Sequence, residues 1–355
     1  MLKIKVAKLQ EMLARASKGA ANNKYLPLTN LLAVELKDSK LTITSTDGTN
    51  YLYVKEDVAG DDFYVCISAD TFPKLIARFT CEDVTLDLKE NYLEVVGNGK
   101  YKIDYQLDEN GQMVKFPNPI SDDINNKVGT ISLNTIKSVL SSVRPSLAND
   151  NTQYASYYVG KSITATDTFK ISSMAVGVFE IPKLIDSQTM DLLGTMIDEN
   201  IDIYTNNDKK IMFTGDYGVV FGYTPSDIGT YRIDAILGLV NKDYPSKCKI
   251  AKNEILQVLD RISLFVDSLL DNDIINIAFE NDGLSITSNK LNGAEKIPYI
   301  TQENFKECSG TILLDRFATQ IKAQSGDAVE IHFGDESTIK MVDNNISMIV
   351  ALGAD

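Results

Sequence analysis

Leu41-Thr42-Ile43-Thr44-Ser45-Thr46-Asp47 decides the fold, because the chain repeats it. It recurs as Ser162-Ile163-Thr164-Ala165-Thr166-Asp167 and, more loosely, as Leu284-Ser285-Ile286-Thr287-Ser288-Asn289. The anchors Ile43, Ile163 and Ile286 are 120 and 123 residues apart, so three units of similar length are expected. Each copy alternates apolar and hydroxyl residues, the period of a strand with one buried face. The pairs Thr46-Asp47 and Thr166-Asp167 close the strands at one place in each repeat. That recurrence favours a turn in which the aspartate accepts from backbone amides over a catalytic carboxylate.

Outward from each anchor the pattern continues. An amphipathic helix precedes each one, with apolar stripes Leu9, Met12, Leu13, Ala16; Ile136, Val139, Leu140, Val143; and Ile255, Val258, Leu259, Ile262. A second helix follows, with Phe72, Leu75, Ile76, Phe79 in the first unit and Leu314, Phe317, Ala318, Ile321 in the third. The middle unit keeps Leu192, Leu193 and Met196 but has Thr189 at the first position. Period-two strands and polar turns come next: Val84-Leu86-Leu88 before Glu90-Asn91, Ile201-Ile203 before Asn206-Asn207-Asp208, and Val329-Ile331-Phe333 before Gly334-Asp335. Six half-units result, each a helix with antiparallel strands, an α+β plan with two helices packed on sheets in every domain. Turn-formers gather at Asp108 to Lys127 and at Pro225 to Cys248, dividing the chain into 1–118, 119–245 and 246–355.

Composition narrows the function. A chain of 355 residues with 44% hydrophobic and 24% charged residues is a multi-domain globular protein. Met1 to Ala16 contains no uninterrupted apolar core, so neither a signal peptide nor a membrane helix is read there, and a cytoplasmic location is expected. Cys66, Cys81, Cys248 and Cys308 are scattered without a C-x-x-C pair, and are expected to be thiols, not metal ligands. His332, the single histidine, alternates onto the polar face of a strand, which argues against a histidine relay or a metal site. No phosphate loop, G-x-G-x-x-G or G-x-S-x-G stretch is present, so no enzyme, metal or cofactor is expected. A net charge of −14 opposes adhesion of the whole surface to nucleic acid but permits a local basic lining.

Head-to-tail repeats can join their sheet edges into a curve, and a curve that closes leaves no edge exposed. Periodicity alone leaves a linear three-domain protein equally open. Three stretches carry a resemblance: Tyr25-Leu26-Pro27-Leu28-Thr29-Asn30-Leu31-Leu32 followed by Leu41 to Asp47, Ala165-Thr166-Asp167-Thr168-Phe169-Lys170-Ile171, and Lys252 to Leu264. In order and spacing they resemble the beta subunit of bacterial DNA polymerase III, the sliding clamp, across essentially the full length. The resemblance implies three tandem clamp domains, half of a closed ring completed by a head-to-tail homodimer. It implies a non-catalytic processivity factor of DNA replication that encircles duplex DNA and tethers a polymerase. An acidic clamp-fold scaffold that does not encircle DNA is the alternative.

Helices lining the hole would present Lys8, Arg15, Lys18, Lys74, Arg78, Lys137, Arg144, Lys252, Arg261, Arg316 and Lys322 to phosphates, contacts that carry no sequence information. The resemblance adds Lys24, with Gln153 and Tyr154, as closer DNA contacts. It implies a dimer contact between the strand Lys100 to Tyr105, using Ile103 and Tyr105, and Leu264-Phe265, with the strand's lysines facing Glu295 or Glu303. It also implies a pocket for short peptides of the polymerase and clamp loader, made by Thr166, Thr168, Phe169, Lys170, Ile171, Leu237, Ile349, Val350 and Ala351. The family's Gly-His-Arg is replaced here by Thr168-Phe169-Lys170, and its Met-Pro-Met ending by Ala351 to Asp355. These departures are consistent with a clamp encoded by a phage or mobile element.

Overall fold

The structure, a computed structural model, describes residues 1–120, 124–150, 152–206, 209–224, 231–266, 273–288, 292–335 and 337–353. It comprises two compact units, Met1–Ile136 with Gln188–Ser226, and Lys137–Ser187 with Asp227–Asp355.

The first unit holds two antiparallel sheets. The smaller has the order β1 (Leu2–Lys5), β6 (Asp83–Leu88), β7 (Tyr92–Val96), β8 (Lys100–Asp104). The larger runs β5 (Phe63–Ser68), β2 (Leu31–Lys37), β3 (Lys40–Thr46), β4 (Tyr51–Asp57), β16 (Gly218–Tyr223), β15 (Lys210–Thr214), β14 (Asn200–Asn206), β9 (Asn126–Ser132). The second unit has a sheet of the same plan: β13 (Lys183–Asp186), β10 (Ser156–Val159), β11 (Ser162–Thr166), β12 (Lys170–Ala175), β25 (Ile346–Ala351), β24 (Thr338–Asp343), β23 (Ala328–Asp335), β17 (Ser246–Ala251), β21 (Thr301–Glu303). Its smaller sheet is β20 (Ala294–Pro298), β19 (Gly283–Ser288), β18 (Ile274–Glu280), β22 (Cys308–Leu313).

The helices are α1 (Val6–Ala16), α2 (Thr71–Ile76), α3 (Leu133–Ser138), α4 (Ser187–Leu193), α5 (Ile233–Val240), α6 (Lys252–Ser263) and α7 (Leu314–Lys322). Strand–helix–three strands therefore recurs twice in each third of the chain, with β21 as an addition in the last. The three quoted stretches are β3, β11 and β19, although Asn289, like Asn207, Asp208 and the stretch 225–230, lies outside the described residues.

The helical stripes are the core. Leu9, Met12, Leu13 and Ala16 are sealed from solvent, as are Ile255, Val258, Leu259 and Ile262. Each of these side chains larger than alanine contributes about 1.5–3 kcal/mol on burial. Thr189 sits in the middle repeat's stripe because its hydroxyl is satisfied there, donating to Asn50 Oδ1 at 2.8 Å.

Two elements depart from the sequence reading. The middle repeat's first helix is α-helical only through Ser138 and continues as a π turn over Val139–Val143. Ile136, Val139 and Val143 stay buried, while Leu140 is half-buried beside a cavity of about 370 Å³. The stretch from Pro225 to Cys248, read as a boundary rich in turn-formers, contains α5, whose Ile236 is buried. His332, read as a polar-face histidine, bonds Glu330 Oε1 through Nε2 at 2.8 Å. Cys66 and Cys248 are buried free thiols, pushed up to about 11 and about 12 by desolvation. No helix among the described residues is long and apolar enough to cross a membrane.

Candidate functional site

The turn after each anchor strand is built identically in the first two repeats. Thr46 Oγ1 donates to Asn50 O at 2.6 Å and accepts from Gly48 N at 3.0 Å, while Asp47 Oδ1 accepts from Thr49 N and Asn50 N. In the second repeat Thr166 Oγ1 donates to Lys170 O at 2.7 Å and accepts from Thr168 N at 3.0 Å, and Asp167 Oδ1 accepts from Phe169 N and Lys170 N. The aspartates are turn acceptors, as their recurrence implied. Gly48 has φ +100 and Thr168 φ +77, so a β-branched residue holds a left-handed position where the first repeat uses glycine.

That strained turn places the expected pocket residues. Ile171 pairs with Ile349 and Lys170 with Val350 across β12 and β25, and Ala351 N donates to Phe169 O. Ile171 and Ile349 join Tyr158, Leu184, Tyr231 and Ile236 in one apolar cluster, with Tyr154 packed against it. Lys170 is turned away from solvent, donating to Pro145 O at 2.7 Å, 3.5 Å from Asp167. Phe169 is half exposed, and the Arg316 guanidinium lies 3.8 Å from its ring centre. The turn thus presents one aromatic face capped by a cation, beside an apolar floor.

Two expected residues sit differently from the sequence reading. On α5 it is Ile236, not Leu237, that enters the cluster, because the helix turns that side toward β12 and β25. Tyr154 stacks edge-on against Tyr231 with ring centres 5.1 Å apart, so its ring is packed against the pocket cluster. Tyr231, in the cluster, and Arg316, over Phe169, lie beside the expected pocket positions, where the sequence reading did not place them. Both are reached only through tertiary packing, and no sequence spacing points to them.

The expected cations divide sharply. Arg15 is 9% exposed and donates to Thr195 O at 2.9 Å and Tyr217 O at 3.2 Å, so it is a strut within the first unit and not a surface charge. Burial lowers its pKa. Lys74 pairs with Asp70, Lys8 with Glu56, and Arg261 grips Glu295 through two bonds of 2.8 and 2.6 Å. Lys252 donates to the carbonyls of Lys322 and Gln324 at the end of α7. Lys18, Lys24, Arg78, Lys137 and Lys322 are exposed, and none forms an ion pair among the described residues; Arg144 is exposed as well. Gln153 is half-buried in the short helical turn before β10. Beside Lys24, Tyr25 is 94% exposed, held out by Asn23, whose side chain accepts from Tyr25 N at 2.9 Å. This aromatic next to an unpaired lysine could have been marked from the sequence.

The expected dimer residues lie at sheet edges. β8 is one edge of the first unit's smaller sheet, opposite β1, and β20 is one edge of the second's, opposite β22; β1 and β22 each make a single further bridge, Leu2 with Gly60 and Thr311 with Gly353. Leu264 is 80% exposed at the end of α6, and the Phe265 ring lies over Gly293 at the start of β20. Ile103 instead faces its own sheet opposite Leu93, and the Tyr105 hydroxyl donates to Glu90 O, so the apolar group that β8 leaves most open is Tyr101, packed on Phe79. Lys100 pairs with Glu94, Glu303 with Lys247 and Glu295 with Arg261, so the rim charges are engaged within the chain.

No protein-family model matches the chain, and no curated protein matches it in sequence. Solved structures do. The chain is similar to DNA polymerase III subunit beta of Borrelia burgdorferi, at 16% identity and a TM-score of 0.86 over 99% of both chains. It is similar to the beta subunit of Streptococcus pyogenes at 10% identity and a TM-score of 0.84 over all of both chains. It is similar to that of Thermotoga maritima at 12% and 0.82 over 99% of this chain and 98% of that one. The fold is that of the bacterial sliding clamps.

Proposed function

We propose that this chain is a DNA sliding clamp, a non-catalytic cytoplasmic protein that encircles duplex DNA as a head-to-tail homodimer and tethers a DNA polymerase. One observation carries the reading. β4 of the first repeat pairs with β16 of the second, and β12 of the second with β25 of the third, each pairing a middle strand with a last strand. The same rule leaves β20 of the third repeat and β8 of the first as edge strands, each with one neighbouring strand. A second copy pairs both, joining the two smaller sheets and leaving neither edge open. Tyr101 and the exposed pair Leu264-Phe265 then form the apolar centre of the contact.

The three repeats, bounded near residues 118 and 245, are the domains of this reading. Lys18, Lys24, Arg78, Lys137 and Lys322 supply weak phosphate contacts, with Tyr25 beside them to stack or bond a base. A short peptide of the polymerase or its loader occupies the apolar cluster around Ile171, Ile349 and Tyr231. The engagement of Arg15, Lys74 and Arg261 inside the chain favours the second reading, an acidic scaffold that does not hold DNA.

Replacing Lys18, Lys24 and Lys137 together with glutamine separates the two. Under the clamp reading, polymerase processivity falls while a dimer near twice 39.2 kDa persists. Unchanged processivity with an intact dimer supports the scaffold.

A further inference from the structure

A second cleft, of about 330 Å³, lies on the larger sheet of the first unit beneath Phe116 and Ile120. Its floor contains the cross-strand row Glu35, Thr42, Lys55 on β2, β3 and β4. Two strand spacings set the backbones of Glu35 and Lys55 about 10 Å apart. Neither side chain forms an ion pair among the described residues, although both are partly buried and burial lowers the Lys55 pKa. In the next row Tyr53 presents a hydroxyl that is buried without a hydrogen-bond partner. Unpaired charge that is partly buried costs stability, and a ligand that pairs it recovers some of that cost.

The repeat supplies an internal control. By strand register, the positions of Ala33, Glu35, Tyr53 and Lys55 correspond in the second unit to Tyr158, Gly160, Ser173 and Ala175. There a tyrosine ring occupies the space left by Ala33, Ser173 bonds Thr164 at 2.8 Å, and none of the four positions carries a charged side chain. The fold therefore does not require Glu35, Lys55 or the cleft.

We propose that this cleft binds a small zwitterion of dipeptide size, its carboxylate on Lys55 and its ammonium on Glu35. Two extended residues span about 7 Å, which long side chains reaching inward from both ends can meet. Phe116 and Ile120 cover the apolar body. The inference does not depend on DNA encirclement.

The probe is L-alanyl-L-leucine, titrated into the full chain while the backbone amides of Ala33 and Val219 are followed by NMR. Saturable shifts are expected, absent with the N-acetylated, C-amidated form of the same dipeptide. Lys55→Met and Glu35→Gln should each weaken binding about tenfold. No saturable shift, equal binding of the capped form, or undiminished binding in folded variants would overturn the proposal. The capped probe on the unaltered chain tests it even where a variant fails to fold.

Discussion

Arg15, Thr168 and Glu330 each tie a local geometry to a measurable energy. Removing the Arg15 guanidinium leaves the carbonyls of Thr195 and Tyr217 without their donor inside the first unit. Arg15→Met should cost about 2–4 kcal/mol in denaturant unfolding, against about 0.5 kcal/mol or less for Lys18→Gln. Thr168→Gly relieves a left-handed β-branched residue and should stabilise by about 1 kcal/mol, seen as a higher unfolding midpoint with unchanged slope. Glu330 is held below its ordinary value of 4.5 by the bonds from His332 and Lys249. Its contribution is complete above pH 4.5 and is lost as the pH falls through the lower folded value. Glu330→Gln should therefore flatten the acid limb of the stability profile in that window.

Among the elements, α5 and the two free edges carry the weight. Ile236→Ala opens the apolar cluster and should cost about 2–4 kcal/mol in the second unit and weaken capture of a polymerase peptide, read by calorimetry. Leu264→Asp places a charge at the centre of the expected contact and should convert the dimer to a monomer in sedimentation with no loss of secondary structure. Much of this layer is legible in the sequence. The stripes of α1, α6 and α7, the anchor strands and the Asp47 and Asp167 turns follow from period and residue chemistry. α5 was hidden because Gly229, Gly238 and Pro245 outweighed the short run Ile233, Ile236, Leu239, Val240. The commitments of Arg15 and Ile103 were hidden for another reason. A helix or strand pattern tells which face a residue occupies, but not which distant carbonyl or sheet partner waits there.

For the whole molecule, one rule of strand pairing accounts for both larger sheets and leaves β8 and β20 as edges that the proposed second copy would pair. A net charge of −14 opposes adhesion of the whole surface to DNA, and the proposed encirclement needs only weak contacts from lysines that form no ion pair among the described residues. The direct test is retention on DNA after loading, compared between closed circles and the same DNA linearised. The account predicts that a dimer stays on circles and runs off linear ends. Equal retention on both, or none on either with the cognate loader present, would contradict encirclement.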